Sequence, residues 1–466
     1  MTFALRDYQS DLIDRARHEL RTHRSVLVQA PTGAGKTALA AFMIASAAQR
    51  GKRAWFVCHR DFLLTQTAGA FDAVGVPYGY IAAGMPANPY QAIQIASVGS
   101  LARRLHKLAP PDLIVWDEAH HVAARSWQGI FRWAESARHV GLSATPARLD
   151  GKGLGDFFGA MVRGPAVATL IADGYLSRYR AFAPSSPDLG RVHSRAGDYV
   201  TSELAGVMDT STIAGNIVGQ YKARANGKRA IYYAVSISHS QHLAASFEAA
   251  GIRSRHLDGN DGADTRIAAA HALASGEISV IANVELFGEG FDLAALAPGA
   301  TIECVGLCRP TQSLALHLQQ IGRALRPKPE PAIILDHAGN LMRHGLPDDD
   351  REWSLDGIDR KARSADNGPP VRTCERCYGV FGAGSRECPY CGHEAEIAAR
   401  EVEEVDADLA EIDRDLLQAA RHREVQRART MEDLIRVGTM RGYKSPAGWA
   451  RHVLKAREGH HRRLSA

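Results

Sequence analysis

Two adjacent carboxylates stand beside two adjacent histidines in VWDEAHHV, residues 115 to 122. A cluster of this kind suits a metal site, an acid–base pair or one half of a nucleotide-hydrolysing site. A zinc protease needs HExxH or its inverse, and DEAHH has neither spacing. The stretch alone does not choose among the remaining chemistries.

A phosphate-binding loop is predicted at APTGAGKT, residues 30 to 37, where the apolar strand SVLVQA ends. Ala30 takes the place of the first glycine of the GxxxxGK[ST] pattern, and the rest of the pattern is present. Glycines let the backbone wrap closely around phosphates, and the following helix presents unpaired N–H groups to them. The residues expected to hold ATP are Thr32, Gly33, Ala34, Gly35, Lys36 and Thr37, with Lys36 at the terminal phosphates and Thr37 also at Mg²⁺.

This loop gives the carboxylate pair a role if the strand that ends in Asp117 lies beside it in the same sheet. Asp117 then faces the magnesium ion next to Thr37, and Glu118 orients and deprotonates the attacking water. His120 is predicted to act as a relay between the nucleotide and neighbouring motifs, and His121 to pack or be solvated. The cluster is therefore interpreted as hydrolytic.

The order and spacing of these stretches resemble a known motor family. APTGAGKT, DEAH and LSATP (142 to 146) are similar to motifs I, II and III of the superfamily 2 helicases and translocases, NVELFGEGFDLA resembles motif V, and QQIGRALRP (319 to 327) resembles motif VI. LRDYQ resembles the adenine-reading LRPYQ of one branch, with Asp7 in place of proline, which implies nucleotide contacts by Arg6 and Gln9. GLSATPARLDGKG, GYLS, RPTQSLALHLQQIGRALRP and ILDHAGN are similar to the bacterial RadD-like and phage-type branch, whose members also carry a cysteine-rich zinc module.

Hydrolysis also needs a positive charge that neutralises the leaving phosphoryl group. Arg323 and Arg326 lie three residues apart, on one face of a helix, and their planar forks suit phosphate oxygens across a cleft between two domains. A surface pair that solvates the helix is the alternative interpretation, and the flanking QxxG pattern argues against it. Gly290 and Asp292 are predicted to link the nucleotide to a bound strand.

Contacts with nucleic acid are expected where loops follow the strands of the first domain. The candidates are Arg60, Gln66, Ser97 and Ser100, whose side chains suit phosphates and read no base sequence. Ordinary helix-start chemistry explains such residues equally well.

Four of the seven cysteines form a C-x2-C-x10-C-x2-C pattern: Cys374, Cys377, Cys388 and Cys391. Two such pairs complete a tetrahedral Zn²⁺ site, for which His393 offers a substitute ligand. Such a site commonly holds a small fold together, and whether it also grips nucleic acid or a partner stays open.

Apolar strands alternate with helical segments twice, which predicts an α/β fold of two tandem RecA-like P-loop domains with parallel sheets, followed by a zinc ribbon and a helical tail. Val402, Val405, Leu409, Ile412 and Leu416 follow a helical spacing in that tail, whose end is basic. The predicted boundaries are 1–180 for the ATP-binding domain, 181–228 for a connection, 229–365 for the C-terminal motor domain, 366–396 for the ribbon and 397–466 for the tail.

Composition adds little to this assignment. A formal charge of +5 and a pI near 8.8 fit a polyanionic partner only weakly. The sequence has no run of about 18 apolar residues and no secretory leader, so a cytoplasmic protein without a membrane partner is expected, and a disulfide framework is not.

The sequence therefore predicts an ATP hydrolase of superfamily 2 that moves on or remodels DNA in repair or recombination. Single-stranded or branched DNA is the expected partner, in preference to RNA, with repair proteins as further partners. An RNA helicase, an ATP-switched scaffold that recruits partners through the ribbon and tail, and the motor of a restriction assembly are the alternatives. The sequence shows neither the winged-helix and oligonucleotide-binding domains usual in DEAH-box RNA helicases nor a nuclease motif.

Overall fold

Short runs of buried β-forming residues build two parallel sheets, one in each half of the motor region. The structure is a computed structural model. It describes residues 4–59, 61–146, 153–183, 187, 189–195, 198–209, 211–284, 286, 293, 300–356, 371–394, 424–425, 427–428, 430–440 and 445–454. Two compact units are distinguished, residues 1–396 and residues 397–466.

The first lobe contains a seven-stranded sheet in the order β3-β4-β2-β5-β6-β1-β7. Its strands are β1 (Ser25–Gln29), β2 (Ala54–Cys58), β3 (Gly79–Ile81), β4 (Ile93–Ser97), β5 (Leu113–Trp116), β6 (Arg138–Ser143) and β7 (Ala160–Arg163). All neighbouring strands are parallel. Their nearly continuous burial is that of a sheet covered on both faces.

Helices cover this sheet and connect its strands. They are α1 (Asp7–Glu19), α2 (Lys36–Gln49), α3 (Asp61–Ala73), α4 (Val98–Ala102), α5 (Arg125–Trp133) and α6 (Val167–Ala172), with short 3-10 turns at Leu105–Lys107 and Ala119–Ala123. The phosphate-binding loop therefore lies between β1 and α2, at the carboxyl edge of the sheet. Loops at this edge form the ligand sites of open α/β sheets.

The second lobe contains a six-stranded parallel sheet in the order β12-β13-β11-β14-β15-β8. Its strands are β8 (Tyr179–Phe182), β11 (Ala230–Tyr233), β12 (Ser254–Leu257), β13 (Val280–Asn283), β14 (Cys304–Leu307) and β15 (Ala332–Asp336). Its helices are α8 (Ser211–Ala225), α9 (Ile237–Ala249), α10 (Ala263–Ser275), α11 (Leu314–Gly322) and α12 (Asn340–His344). Between β8 and α8 lies an insert that contains the hairpin β9 (Ser194–Arg195) and β10 (Asp198–Tyr199) and the helix α7 (Thr201–Met208).

Strand β8 places the end of the first domain before residue 179, earlier than the predicted boundary at residue 180. The sequence places residues up to 180 in the first domain and residues from 181 in a connection. In the structure, Tyr179 pairs with Ala332 and Phe182 with Leu335, so the strand belongs to the second sheet. The reason is topological, since β8 completes the edge of a sheet whose other strands follow later in the chain.

The cysteine-rich segment docks on this edge strand. Its two strands are β16 (Val371–Thr373) and β17 (Val380–Gly382), which pair antiparallel. Phe182 forms an isolated antiparallel bridge with Gly379, and Ala183 N donates to Tyr378 O at 3.0 Å. The Tyr390 ring lies 5.7 Å from the Phe182 ring. The small module therefore partly covers an otherwise open sheet edge.

The second unit is described in part. Helix α13 (Met431–Met440) and helical residues 446–454 pack through Leu434, Val437 and Ala450, with Trp449 against them. The predicted helical face from Val402 to Leu416 lies outside the described residues. None of the helices in the described ranges has the length and apolar character to cross a bilayer.

Candidate functional site

The phosphate-binding loop has a conformation that only glycine adopts easily at two positions. Gly33 has φ +87° and Gly35 has φ +78°. A Cβ on Gly35 would lie 2.6 Å from Gln9 Nε2, so the side chain of Gln9 occupies the space directly beside the loop. Gln9 Nε2 donates to Ala34 O at 2.9 Å, and Tyr8 Oη donates to the same oxygen at 2.8 Å. The start of α1 thereby fixes the loop.

Two tyrosine rings and an arginine side chain lie next to this contact. The guanidinium of Arg6 lies 4.9 Å from the centre of the Tyr175 ring, and the Tyr8 and Tyr175 rings are 5.1 Å apart. Burial raises the pKa of Tyr8, against the lowering influence of Arg6. Gln9 therefore contacts the loop and Arg6 lies beside Gln9 and Tyr8, while their contacts with the nucleotide stay a prediction. Tyr8 and Tyr175 were not predicted there, although LRDYQ and GYLS contain them.

The acidic motif lies on the same edge of the sheet as the loop. Asp117 follows β5 and the phosphate-binding loop follows β1. Strand β6 lies between these two strands in the sheet. Asp117 N donates to Val57 O of β2 at 2.9 Å, and Ala30 N donates to Ser143 O of β6 at 3.0 Å, so each loop is fixed to a strand next to its own. The carboxyl ends of β1, β5 and β6 thus bring motifs I, II and III together.

Glu118 is held in a costly conformation with an unsatisfied oxygen. It has φ +46°, a region that a non-glycine residue rarely occupies, and its side chain is 8% exposed. Its Oε2 lies 3.5 Å from His120 Nδ1 and has no hydrogen-bond partner in the described part of the chain. A buried carboxylate oxygen of this kind is suited to a ligand or a water molecule.

His120 connects motif II to motif III. Its Nδ1 lies 3.2 Å from Ser143 Oγ, which donates to Thr145 O at 2.9 Å. The Ser143 hydroxyl therefore lies between the His120 ring and the backbone of motif III. The His121 ring packs against the His59 ring at a tilt of 52°, with ring centres 4.8 Å apart, which is the packing role left open by the sequence.

The two lobes meet at the phosphate-binding loop. A Cβ on Gly322, the last residue of α11, would lie 2.4 Å from Thr32 Cβ. The next residue is Arg323, which is 6% exposed, and Arg326 is half-buried. A Cβ on Gly33 would lie 3.9 Å from Gly322 O, which is a second close approach of the two lobes. The arginine-bearing segment therefore adjoins the loop that is predicted to hold phosphates.

The residues present fit a nucleotide and its metal ion. Thr32 Oγ1, like Glu118 Oε2, is buried without a hydrogen-bond partner among the described residues. Gly33 and Gly35 add no side chain of their own to the loop, and Lys36 and Thr37 begin α2. Gly290 and Asp292 lie outside the described residues.

The four residues predicted to contact nucleic acid differ in their burial and in whether the structure describes them. Arg60 lies outside the described residues, and Gln66 is half-buried on α3. Ser97 and Ser100 are buried, and Ser100 Oγ accepts from Ala83 N at 3.1 Å. That hydrogen bond favours the structural role for Ser100.

The four sulfurs of the cysteine cluster lie within 4.8 Å of one another. Cys374 Sγ is 3.7 Å from Cys391 Sγ, and Cys377 Sγ is 3.6 Å from Cys388 Sγ. Four sulfurs placed about 2.3 Å from one zinc ion are about 3.8 Å apart, so the spacing fits a tetrahedral site.

The backbone favours a thiolate at Cys374, whereas burial and the neighbouring sulfurs raise the pKa of Cys377. Burial opposes ionisation of Cys374, but the N–H groups of Cys377 and Arg376 lower the pKa of its thiol to about 7. His393 serves the cluster through its backbone, since its carbonyl accepts from Cys388 N at 2.9 Å. The donor set is therefore the four cysteines.

Comparison with known proteins identifies both lobes. Residues 2–148 match the family of the type III restriction enzyme res subunit, and residues 213–328 match the helicase conserved C-terminal domain. A 51.5 kDa protein of a Lactococcus phage is 32% identical over 374 residues, which are 80% of this chain and 78% of the phage protein. The putative ATP-dependent helicase IRC3 of Saccharomyces cerevisiae is 28% identical over 348 residues, 69% of this chain and 49% of the yeast protein.

Among solved structures, the type ISP restriction–modification enzyme LlaBIII bound to DNA superposes with a TM-score of 0.56 at 17% identity. The match covers 72% of this chain and 28% of that enzyme, so it concerns the fold. This chain thus spans about half of the yeast relative and little more than a quarter of the restriction enzyme.

Tandem parallel sheets with a P-loop in the first and an arginine motif in the second define a class of ATP-hydrolysing, helicase-type motor enzymes. The chain belongs to the superfamily 2 helicases. The predicted fold class and family are confirmed, and helicase domains of this kind use ATP and Mg²⁺. The RadD-like branch stays a prediction.

Proposed function

We propose that this protein is an ATP-driven motor that translocates on or remodels DNA, in repair or recombination. The observation that carries the proposal is the contact of Gly322 with Thr32, which joins the arginine motif of one lobe to the phosphate-binding loop of the other. Closure of two lobes on one nucleotide, followed by opening after hydrolysis, shifts any strand that both lobes hold.

The proposed residue roles are those of the motifs that these residues resemble, and the meeting of the motifs at one sheet edge supports them. Lys36 and the loop backbone hold the phosphates, while Thr37 and Asp117 hold the magnesium ion. When bound, that ion neutralises charge on the phosphate oxygens. Glu118 orients the attacking water and accepts its proton, and His120 links this step to Ser143.

Arg323 and Arg326 stabilise the charge that develops on the transferred phosphoryl group. Arg323→Ala and Arg326→Ala are each expected to bind ATP normally and to hydrolyse it about 10³-fold more slowly, as for arginine fingers. Single-turnover hydrolysis together with titration of a fluorescent nucleotide separates the two effects. Normal turnover in either variant would remove that arginine from the mechanism.

DNA is proposed as the track because the first lobe matches the family of a restriction-enzyme subunit. The net charge of +5 fits any nucleic acid and adds only weak support. Arg60 and Gln66 are proposed phosphate contacts. Single-stranded or branched DNA is the preferred form, and repair proteins are proposed partners. The cysteine cluster is proposed to bind one zinc ion that holds the ribbon together.

The deciding experiment is the ATPase rate with single-stranded DNA, duplex DNA, branched DNA, RNA and no polymer. Stimulation by single-stranded or branched DNA above RNA supports the proposal. Stronger stimulation by RNA would favour an RNA helicase, and a rate that no polymer changes would favour the ATP-switched scaffold. Preference for unbranched duplex would favour a restriction-type translocase.

A further inference from the structure

The insert between β8 and α8 packs over the carboxyl edge of the second sheet. Leu204 and Met208 of α7 form a small core with Val235, which follows β11 closely. The hairpin β9–β10 reaches the loop that follows β14, residues 309–313. The insert therefore contacts the edge of the second sheet at which the motor loops are expected.

Asp198 of the hairpin is the centre of the contact with this loop. Its Oδ2 accepts from the Thr311 hydroxyl at 3.0 Å and lies 3.5 Å from an Arg309 nitrogen. Its Oδ1 accepts from Gln312 N at 2.7 Å, and Gln312 Nε2 donates to Ser194 Oγ at 2.7 Å. Both carboxylate oxygens are thus used, so an amide at this position retains only one acceptor.

The loop connects Asp198 to helix α11 through a series of hydrogen bonds. The Thr311 hydroxyl, which donates to Asp198, accepts from Ser313 N at 3.0 Å. Ser313 is the N-cap of α11, and its Oγ accepts from Leu316 N at 3.2 Å. Thr311 is fully buried and Ser313 nearly so, which shields both hydrogen bonds from water.

Helix α12 fixes the same loop from the other side. Thr311 N donates to Asn340 Oδ1 at 3.0 Å, and Asn340 Nδ2 donates to Arg309 O at 2.9 Å. These bonds hold the loop backbone, whereas Asp198 engages the hydroxyl that meets the helix cap. Loss of Asp198 therefore leaves the loop attached but its cap hydrogen bonds unsupported.

At the far end of α11, Gly322 contacts the phosphate-binding loop. Arg323 is the next residue. An α-helix is a rigid rod, so a shift or tilt at its first turn is carried to its last. We propose that Asp198 is a positioning residue, which acts through Thr311 and Ser313 to hold α11 where Arg323 meets the nucleotide. This inference rests on the proposed role of Arg323, and it makes the insert a part of the hydrolytic machinery rather than a spacer.

Asp198→Asn and Thr311→Val are expected to lower kcat for ATP by roughly tenfold, equivalent to about 1.4 kcal/mol in the barrier. Nucleotide affinity should stay unchanged, because the loop that holds the phosphates belongs to the other lobe. Thr311→Ser keeps the hydroxyl and should keep the rate. Asp209→Asn is the matched control, since Asp209 lies at the end of the same insert and contacts His242, not the loop.

A combined variant separates positioning from general damage. If Asp198 acts through Arg323, Asp198→Asn should add nothing to Arg323→Ala. Wild-type kcat in both Asp198→Asn and Thr311→Val, or a further loss when Asp198→Asn is added to Arg323→Ala, would overturn the inference while leaving the proposed function intact. Normal turnover in Arg323→Ala alone would overturn the role of Arg323, and this inference with it.

Discussion

Gly322→Ala tests the contact between the lobes most directly. The added Cβ would lie 2.4 Å from Thr32 Cβ and 2.5 Å from Thr32 Cγ2. Carbon atoms in contact are normally about 3.5 to 4.0 Å apart, so the two surfaces must separate by on the order of 1 Å. Thr32 cannot swing away, because its Cβ is attached directly to the loop backbone.

That separation moves Arg323, the next residue, away from the phosphates. A misplacement of about 1 Å in a reacting site costs roughly 10²-fold in rate, and this is the expected loss in kcat. ATP binding should change little, because Gln9 and Tyr8 hold the loop from within the first lobe. The predicted result is therefore a variant that binds nucleotide and hydrolyses it slowly.

Steady-state ATPase assays at saturating DNA give kcat, and titration of a fluorescent nucleotide gives affinity. Gly219→Ala is the control, since this exposed glycine within α8 has no atom within 4 Å of an added Cβ. The control should keep its rate. If Gly322→Ala retains turnover within a factor of about three, the lobes do not need this contact in the hydrolytic state.

Lys36→Ala should weaken nucleotide binding, whereas Glu118→Gln should bind ATP and fail to turn it over; equal affinity losses measured by titration would contradict these roles. Elemental analysis should find one zinc per chain, lost in Cys374→Ser and Cys391→Ser; iron, or no metal in carefully prepared protein, would rule the site out. DNA affinity should fall with salt at a log–log slope of about −3.5, for roughly five phosphates on a single strand, and Arg60→Ala should reduce that slope by somewhat under one unit. A flat salt response, or a preference for one base sequence, would show that the ligand is not held by its backbone.

The sequence predicts the fold class because alternation of apolar strands and helices is a local signal. A P-loop and the DEAH stretch are also local, and each follows a strand of one parallel sheet, so their meeting at one edge follows from topology. The resemblance of LRDYQ implies a nucleotide contact by Gln9, and in the structure Gln9 donates to Ala34 of the phosphate-binding loop. These features needed no knowledge of how distant segments pair.

Long-range pairing is what the sequence does not reveal. Nothing in the pattern of residues 179–182 distinguishes an edge strand of the second sheet from the end of the first domain. Asp198 belongs to none of the stretches that carry the resemblance, and its hydrogen bond with Thr311 joins segments that are 113 positions apart. Ser100 is a similar case, since a hydroxyl after a strand is equally suited to phosphate or to Ala83 N.

Strand β8 also sets the order in which the chain can fold during synthesis. It leaves the ribosome about 150 residues before its partner β15, a delay of roughly 8 to 30 s at 5 to 20 residues per second. Through that interval its backbone groups have no sheet to join, which makes it a site for pairing with other nascent chains. A chain truncated before Ala332 keeps this strand unpaired permanently. Expression of the first lobe alone should therefore stop before Tyr179.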